Sequence, residues 1–238
     1  KVDAVVIDNA VANALFPNRC ISCGEIIERE EFLCEYCYEM IELVDIAKIC
    51  VGCGLYKKDC QCKNRVHHYA GAIAPFENDG VAQQAMYRFK FKKVANGSKF
   101  FAKEMAKIIK TLYSDIAFDG IVYVPMHPIK QLNRGFNQSE MLARHLAKIL
   151  KVKLYDRVIS VKRFRKTQHN LPIKERFQNV KGLYSFNYKV TGKTILLVDD
   201  IKTTGATLDE CAKQLLLAGA DNIYCVCGLI TKSRKDKD

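Results

Sequence analysis

The stretch Thr194-Ile-Leu-Leu-Val-Asp199-Asp200-Ile201-Lys202-Thr203-Thr204-Gly205-Ala206-Thr207-Leu208 decides the reading of the fold. Ile195, Leu196, Leu197 and Val198 form an uncharged apolar run, as a strand buried on both faces of a parallel sheet requires. Two carboxylates end the run, and small residues lead into a helical pattern over 208–217 that Gly219 closes. Ligands of open α/β sheets bind outside the carboxyl ends of the strands, which is where this order puts Asp199 and Asp200. Backbone amides of residues 203–207 form a nest at a helix N-terminus, where the dipole favours an anion. Thr203, Thr204 and Thr207 add hydroxyl donors, and Gly205 admits a ligand without a Cβ in the way. Ionised Asp199 and Asp200 suit a pair of hydroxyls, to which carboxylates bind strongly. Gly205 is followed by Ala-Thr rather than Lys-Thr, and no Gly-x-Gly-x-x-Gly follows the first strand. Both the Walker loop and the dinucleotide fingerprint are thereby excluded.

Outward from this stretch the chain alternates strands and helices. Strands are expected at 69–76, 120–125, 194–198 and 222–230, and helices at 80–89, 99–113, 139–150 and 208–217. That alternation predicts an α/β domain over 67–238, a mainly parallel sheet with helices on both faces. A second strand-to-loop junction follows Val124, through Pro125, Met126 and His127. Arg134-Gly-Phe-Asn-Gln138 comes next, ahead of a helix. Arg134 and Lys130 are the better charge partners for a phosphate there, since Arg forks onto two oxygens; His127 is either a donor or a satisfied loop histidine.

Eight of eleven cysteines lie between Cys20 and Cys62. Cys20-Ile-Ser-Cys23 and Cys34-Glu-Tyr-Cys37 are two knuckles that together complete one tetrahedral zinc site. Cys50, Cys53, Cys60 and Cys62 close a second, less regular one. No strand precedes a knuckle and no helix follows it in the thioredoxin manner, which argues against redox chemistry, and neither quartet leaves a position open for catalysis. With few large apolar residues, the 20–66 module is expected to draw much of its folding free energy from metal. Before it, residues 1–19 read as a short amphipathic helix, stopped by Pro17 and too often interrupted by polar residues for a signal peptide.

The chain of 238 residues carries 38 Lys plus Arg against 26 Asp plus Glu, a formal net charge of +12, which favours polyanionic partners. Eleven basic residues fall between Lys151 and Lys189, among them Lys162, Arg163, Arg165 and Lys166. Phe164, Phe177, Tyr184, Phe186 and Tyr188 are interleaved. Cations with aromatic platforms suit single-stranded nucleic acid, although some of these charges would equally steer a small anionic ligand. No apolar run is long enough to cross a bilayer.

The 194–208 run resembles the motif by which type I phosphoribosyltransferases bind 5-phosphoribosyl 1-pyrophosphate (PRPP). The Val124-Pro-Met-His127 and Arg134–Gln138 combination is similar to the ComF (competence protein F, ComFC) branch of that family. Phe89-Lys-Phe-Lys-Lys93, the 166–172 stretch with Arg176 and Asn179, Leu15-Phe-Pro17 and the cysteine knuckles agree with it. The resemblance implies a type I phosphoribosyltransferase-like parallel sheet with a small N-terminal zinc-ribbon module. It implies that Asp199 and Asp200 hold the ribose, and that Ile201, Lys202, Thr203, Thr204, Gly205, Ala206 and Thr207 surround the 5-phosphate. Pro125, Met126, His127 and Arg134 would face pyrophosphate, with Mg²⁺ bridging ligand oxygens. It further implies a cytoplasmic protein handling single-stranded DNA at the inner face of the membrane with the competence machinery during natural transformation; the amphipathic first helix is open to two uses, peripheral membrane contact or packing onto the zinc module. One departure bears on chemistry. Purine-salvage relatives carry an aspartate where this chain has Thr203, and no base-binding hood is recognisable, so PRPP binding is better supported than transfer. A transferase acting on another acceptor, and a zinc-organised interaction protein with a vestigial site, are the rival readings.

Overall fold

The computed structural model describes residues 17–28, 30–60, 62–63, 65–92, 94–162, 178 and 180–231. The expected first helix up to residue 16, Lys93, Arg163, Phe164, Arg165, the 166–172 stretch, Arg176, Phe177 and Asn179 lie outside the described residues.

In chain order the elements are α1 (Glu35–Met40), β1 (Gly71–Ile73), β2 (Phe76–Glu77), α2 (Gly80–Phe91), α3 (Asn96–Leu112) and β3 (Gly120–Tyr123). Then come α4 (Pro128–Arg134), α5 (Gln138–Leu150), β4 (Ile159–Val161), β5 (Tyr184–Phe186), β6 (Thr194–Lys202), α6 (Ala206–Leu217) and β7 (Asn222–Ile230). The main sheet is parallel throughout, in the order β1-β7-β6-β3, with β2 beside the far end of β7. Ile195, Leu196, Leu197 and Val198 are completely buried, as a central strand covered on both faces demands. Helices flank the sheet: α3 packs on α5 and β7, α5 on β6 and β3, and α6 on β6, β7 and the β4–β5 hairpin.

Four local outcomes differ from the sequence reading. The first strand is broken in two at Ala74 and Pro75, since proline donates no ladder hydrogen bond. Strand β6 continues past Val198 to Lys202, because β7 supplies partners as far as Ile230. The loop before α6 is therefore shorter than 201–207. Helix α4 and the β4–β5 hairpin went unread, the helix being short and the strands lying in a charge-rich stretch without clear alternation.

The cysteine-rich module is not separate from this core. Ile21, Leu33, Val44 and Ile49 are buried in the same cluster as the sheet. Phe32 joins the Phe76, Phe100 and Phe101 rings, its centroid 5.8 Å from Phe100. Aromatic pairs of this kind contribute about 0.5–1.5 kcal/mol each beyond area burial. Ser22 Oγ donates to the Val81 carbonyl at 3.1 Å, and Val44 N–H to the Pro75 carbonyl at 2.9 Å.

Candidate ligand cleft and cysteine centres

A cleft of about 690 Å³ opens at the carboxyl ends of β6 and β3. Its wall is built from Asp199, Asp200 and Ile201 of β6, from Pro125, Met126 and His127 after β3, and from Lys130 and Arg134 of α4. Lys90 and Phe91 of α2, Asn137, Ser139, Tyr184 and Thr207 also face it.

The two aspartates are not equivalent. Asp199 is 8% exposed, and its carboxylate accepts the Ser139 hydroxyl at 2.8 Å and the Asp200 N–H at 2.9 Å. Burial, with the neighbouring Asp200 charge, raises its pKa to about 7 despite those two donors and Lys90. Asp200 instead pairs with Lys90 Nζ at 2.8 Å, both side chains about 15% exposed. Asn137 sets the floor: its Nδ2 donates to the Val124 carbonyl at 3.1 Å, and its Oδ1 caps α5 through the Ser139 N–H at 3.1 Å.

His127 caps α4, its Nδ1 accepting from the Ile129 N–H at 3.2 Å, while the residue also lines the cleft. Arg134 donates to Gln138 Oε1 at 2.8 Å and lies 5.0 Å from the centre of the Phe91 ring. Burial, aided by the Arg134 charge, lowers the pKa of Lys130 below the ordinary lysine range. The wall therefore gathers three cations, Lys90, Lys130 and Arg134, around the half-buried Asp200 carboxylate.

Lys202, expected at the phosphate, is turned elsewhere. It is 5% exposed, does not line the cleft, and lies beneath Gly205 beside Tyr69. Thr204 Oγ1 accepts the Ala206 N–H at 3.3 Å, and of the three threonines it is Thr207, in the first turn of α6, that faces the cleft. Tyr184, read as a stacking platform, is 7% exposed and is a wall residue of the cleft. Sequence reasoning assigned no role to Asn137, nor to Ser139, whose partner Asp199 lies 60 residues away. Lys90 stood in a recognised basic run, with nothing to pair it to Asp200.

In the cysteine-rich module, Cys20, Cys23, Cys34 and Cys37 converge, as do Cys50, Cys53, Cys60 and Cys62, with all sulfurs of a quartet within 4.8 Å of one another. Sulfurs at about 2.3 Å from a tetrahedral zinc stand roughly 3.8 Å apart. The Sγ–Sγ distances of 3.6 Å for Cys23–Cys34, 3.9 Å for Cys50–Cys62 and 3.8 Å for Cys53–Cys60 fit that geometry. The leading knuckles repeat one backbone pattern. Cys20 N–H donates to Glu25 O and Cys50 N–H to Leu55 O, both at 2.7 Å, while Gly24 and Gly54 turn back at positive φ of 91° and 76°. Burial opposes ionisation of Cys20 and Cys50, yet hydrogen-bond donors, backbone N–H groups foremost, bring both thiols down to about 7; burial drives Cys37 and Cys53 the other way. Both quartets are thus consistent with structural zinc.

On the basic segment, Lys162 is exposed, as are Phe186 and Tyr188. No described helix is long and apolar enough to cross a membrane.

Residues 11–73 match the double zinc ribbon domain family, and residues 137–238 the phosphoribosyl transferase domain family. The parallel sheet with its flanking helices and the two cysteine quartets accord with both matches: a phosphoribosyltransferase-like α/β fold preceded by a zinc-ribbon module. Among named proteins, the chain is 35% identical over 111 residues to DNA utilization protein YhgH of Escherichia coli (strain K12), covering 46% of this chain and 49% of that one. It is 32% identical over 108 residues to Competence protein F of Haemophilus influenzae, covering 44% and 47%. Competence protein ComFC of Bacillus subtilis (strain 168) is 30% identical over 139 residues, covering 58% and 55%. The chain is homologous to these proteins over part of its length, and the matches span about half the length of each.

Proposed function

We propose that the chain binds PRPP in this cleft and handles single-stranded DNA during natural transformation. The carrying observation is the Asp200–Lys90 pair at the end of β6, in a cleft whose remaining charged wall is Lys130, Arg134 and the buried Asp199. A ligand with a diol and several phosphates matches that distribution. Asp199 and Asp200 would take the ribose hydroxyls. Thr203, Thr204, Gly205, Ala206 and Thr207, with the Ile201 and Lys202 backbone, would surround the 5-phosphate, and Pro125, Met126, His127 and Arg134 the pyrophosphate. Among the described residues, three or more His, Cys, Asp or Glu ligands converge only in the cysteine quartets. Mg²⁺ would thus be held mainly by ligand oxygens and water, with Asp200 as the protein carboxylate in reach, and would neutralise pyrophosphate charge. In the quartets zinc would serve structure alone.

Calorimetry with PRPP and Mg²⁺ on the wild type and on an Asp199→Asn/Asp200→Asn variant tests the first half. Saturable binding that the variant loses is expected, and a heat-silent titration of folded, zinc-loaded protein refutes it. The DNA half is supported by the +12 charge, by exposed Lys162, Phe186 and Tyr188, and by the names of the relatives. Affinity for a single-stranded oligonucleotide should fall steeply with salt and weaken when Lys162, Arg163, Arg165 and Lys166 are neutralised. Salt-independent binding would count against it.

A further inference from the structure

The phosphate loop is held from the side of the second cysteine quartet. Arg65, three residues after Cys62, donates through Nη1 to the Thr204 carbonyl at 3.4 Å. His68 follows, its N–H donating to Asp209 Oδ1 at 2.9 Å and its Nδ1 lying 3.1 Å from Asp209 Oδ2. Asp209 is in the first turn of α6, the helix that the loop opens. His67 Nδ1 lies 3.9 Å from the same carboxylate, and the His67 ring stacks on Tyr69 at 4.7 Å. Beneath the loop, a Cβ at Gly205 would meet Lys202 Cε at 3.1 Å and the Tyr69 hydroxyl at 3.3 Å, so that layer is closely packed.

The quartet is fixed at its other end as well. Ala72 N–H of β1 donates to the Val51 carbonyl inside the Cys50–Cys53 knuckle at 2.9 Å. A Cβ on Gly54 would lie 2.7 Å from the Ala72 carbonyl and 2.8 Å from Ile230 Cδ1, the last residue of β7. The second quartet thus abuts the sheet edge through Val51 and Gly54, and the strap that follows it in the chain, residues 65–69, grips the loop. Arg65 acts on more than position. A trans peptide sets C=O and N–H in opposite directions, so drawing the Thr204 oxygen toward Arg65 turns the Gly205 N–H away from it, presented as a donor.

We propose that Arg65, His68 and Asp209 are positioning residues for the 203–207 loop, and that through them metal in the second quartet sets the loop's order and its affinity for a phosphate. The affinity part rests on the PRPP reading; the ordering part does not. A folded chain that lost this metal would keep its α/β core and release the strap.

The test is hydrogen exchange across residues 203–210 in the full chain, with zinc content measured alongside. Arg65→Ala and Asp209→Asn should retain the wild-type zinc content and exchange faster by about five- to tenfold, the equivalent of one ordinary hydrogen bond. Cys62→Ser should lose the second metal and show the same rise, whereas Cys23→Ser, in the first quartet, should leave the segment near wild type. In PRPP titrations Kd should rise by a similar factor in Arg65→Ala and Asp209→Asn. Unchanged exchange in those two variants, or an equal response to Cys23→Ser and Cys62→Ser, overturns the proposal. Wild-type protein whose 203–210 exchange is not slowed by PRPP would instead defeat the PRPP reading, while the ligand-free comparison still decides the coupling.

Discussion

Replacing Asp199 by Asn should stabilise the folded chain, and do so more strongly as pH rises. Asp199 is almost fully buried, and its pKa rises from 3.8 to about 7 in the fold. An unfolded chain ionises this carboxyl near 4, while the folded chain keeps its proton until about 7. Between those values the unfolded state binds fewer protons, so stability falls as pH rises, and above about 7 the loss is complete. Three units at 1.36 kcal/mol each amount to roughly 4 kcal/mol at pH 8, whereas at pH 5.5 roughly 2 kcal/mol is in force. Asn keeps an oxygen to accept from the Ser139 hydroxyl and the Asp200 N–H and removes the ionisation. The variant should therefore gain about 2 kcal/mol more at pH 8 than at pH 5.5. Urea unfolding at the two pH values, with zinc present and midpoints converted at constant slope, measures this. A gain independent of pH, or a loss that grows with pH, would refute the reasoning.

Lys90→Ala should weaken PRPP by roughly 10- to 100-fold in calorimetry, as expected when a half-buried cation leaves a carboxylate and a phosphate ligand without their partner. Cys20→Ser should reduce the zinc measured by elemental analysis from two per chain to one, and loosen the Ile21–Leu33 side of the module as read by proteolysis. Gly120→Ala should destabilise by about 3 kcal/mol in urea unfolding, because the new Cβ would clash with the Tyr155 ring and one of the two must move. Neutralising Lys162 alone should lower the slope of log affinity against log salt for single-stranded DNA by about 0.7, one phosphate contact.

The sequence by itself determined the parts that are local. A run of four apolar residues between a threonine and two aspartates has one comfortable home, the middle of a parallel sheet, and β6 and β7 formed there. Cys-x-x-Cys-Gly is likewise self-sufficient, since the spacing and one residue of positive φ suffice to turn two thiols toward a common point. Charge was legible only as a sum. Asp199 and Asp200 are identical in sequence, and what separates them is Ser139 on α5 and Lys90 on α2, 60 and 110 residues away. The resemblance to the PRPP motif puts Lys202 at the phosphate, yet continued pairing with β7 carries the strand past it, and its side chain lies under the loop. The hold of the strap on Asp209, 141 residues beyond His68, has no signature in either segment. Local propensity is written in neighbouring residues, whereas the ionisation of a buried carboxylate and the set of a loop depend on groups that only packing brings within 4 Å.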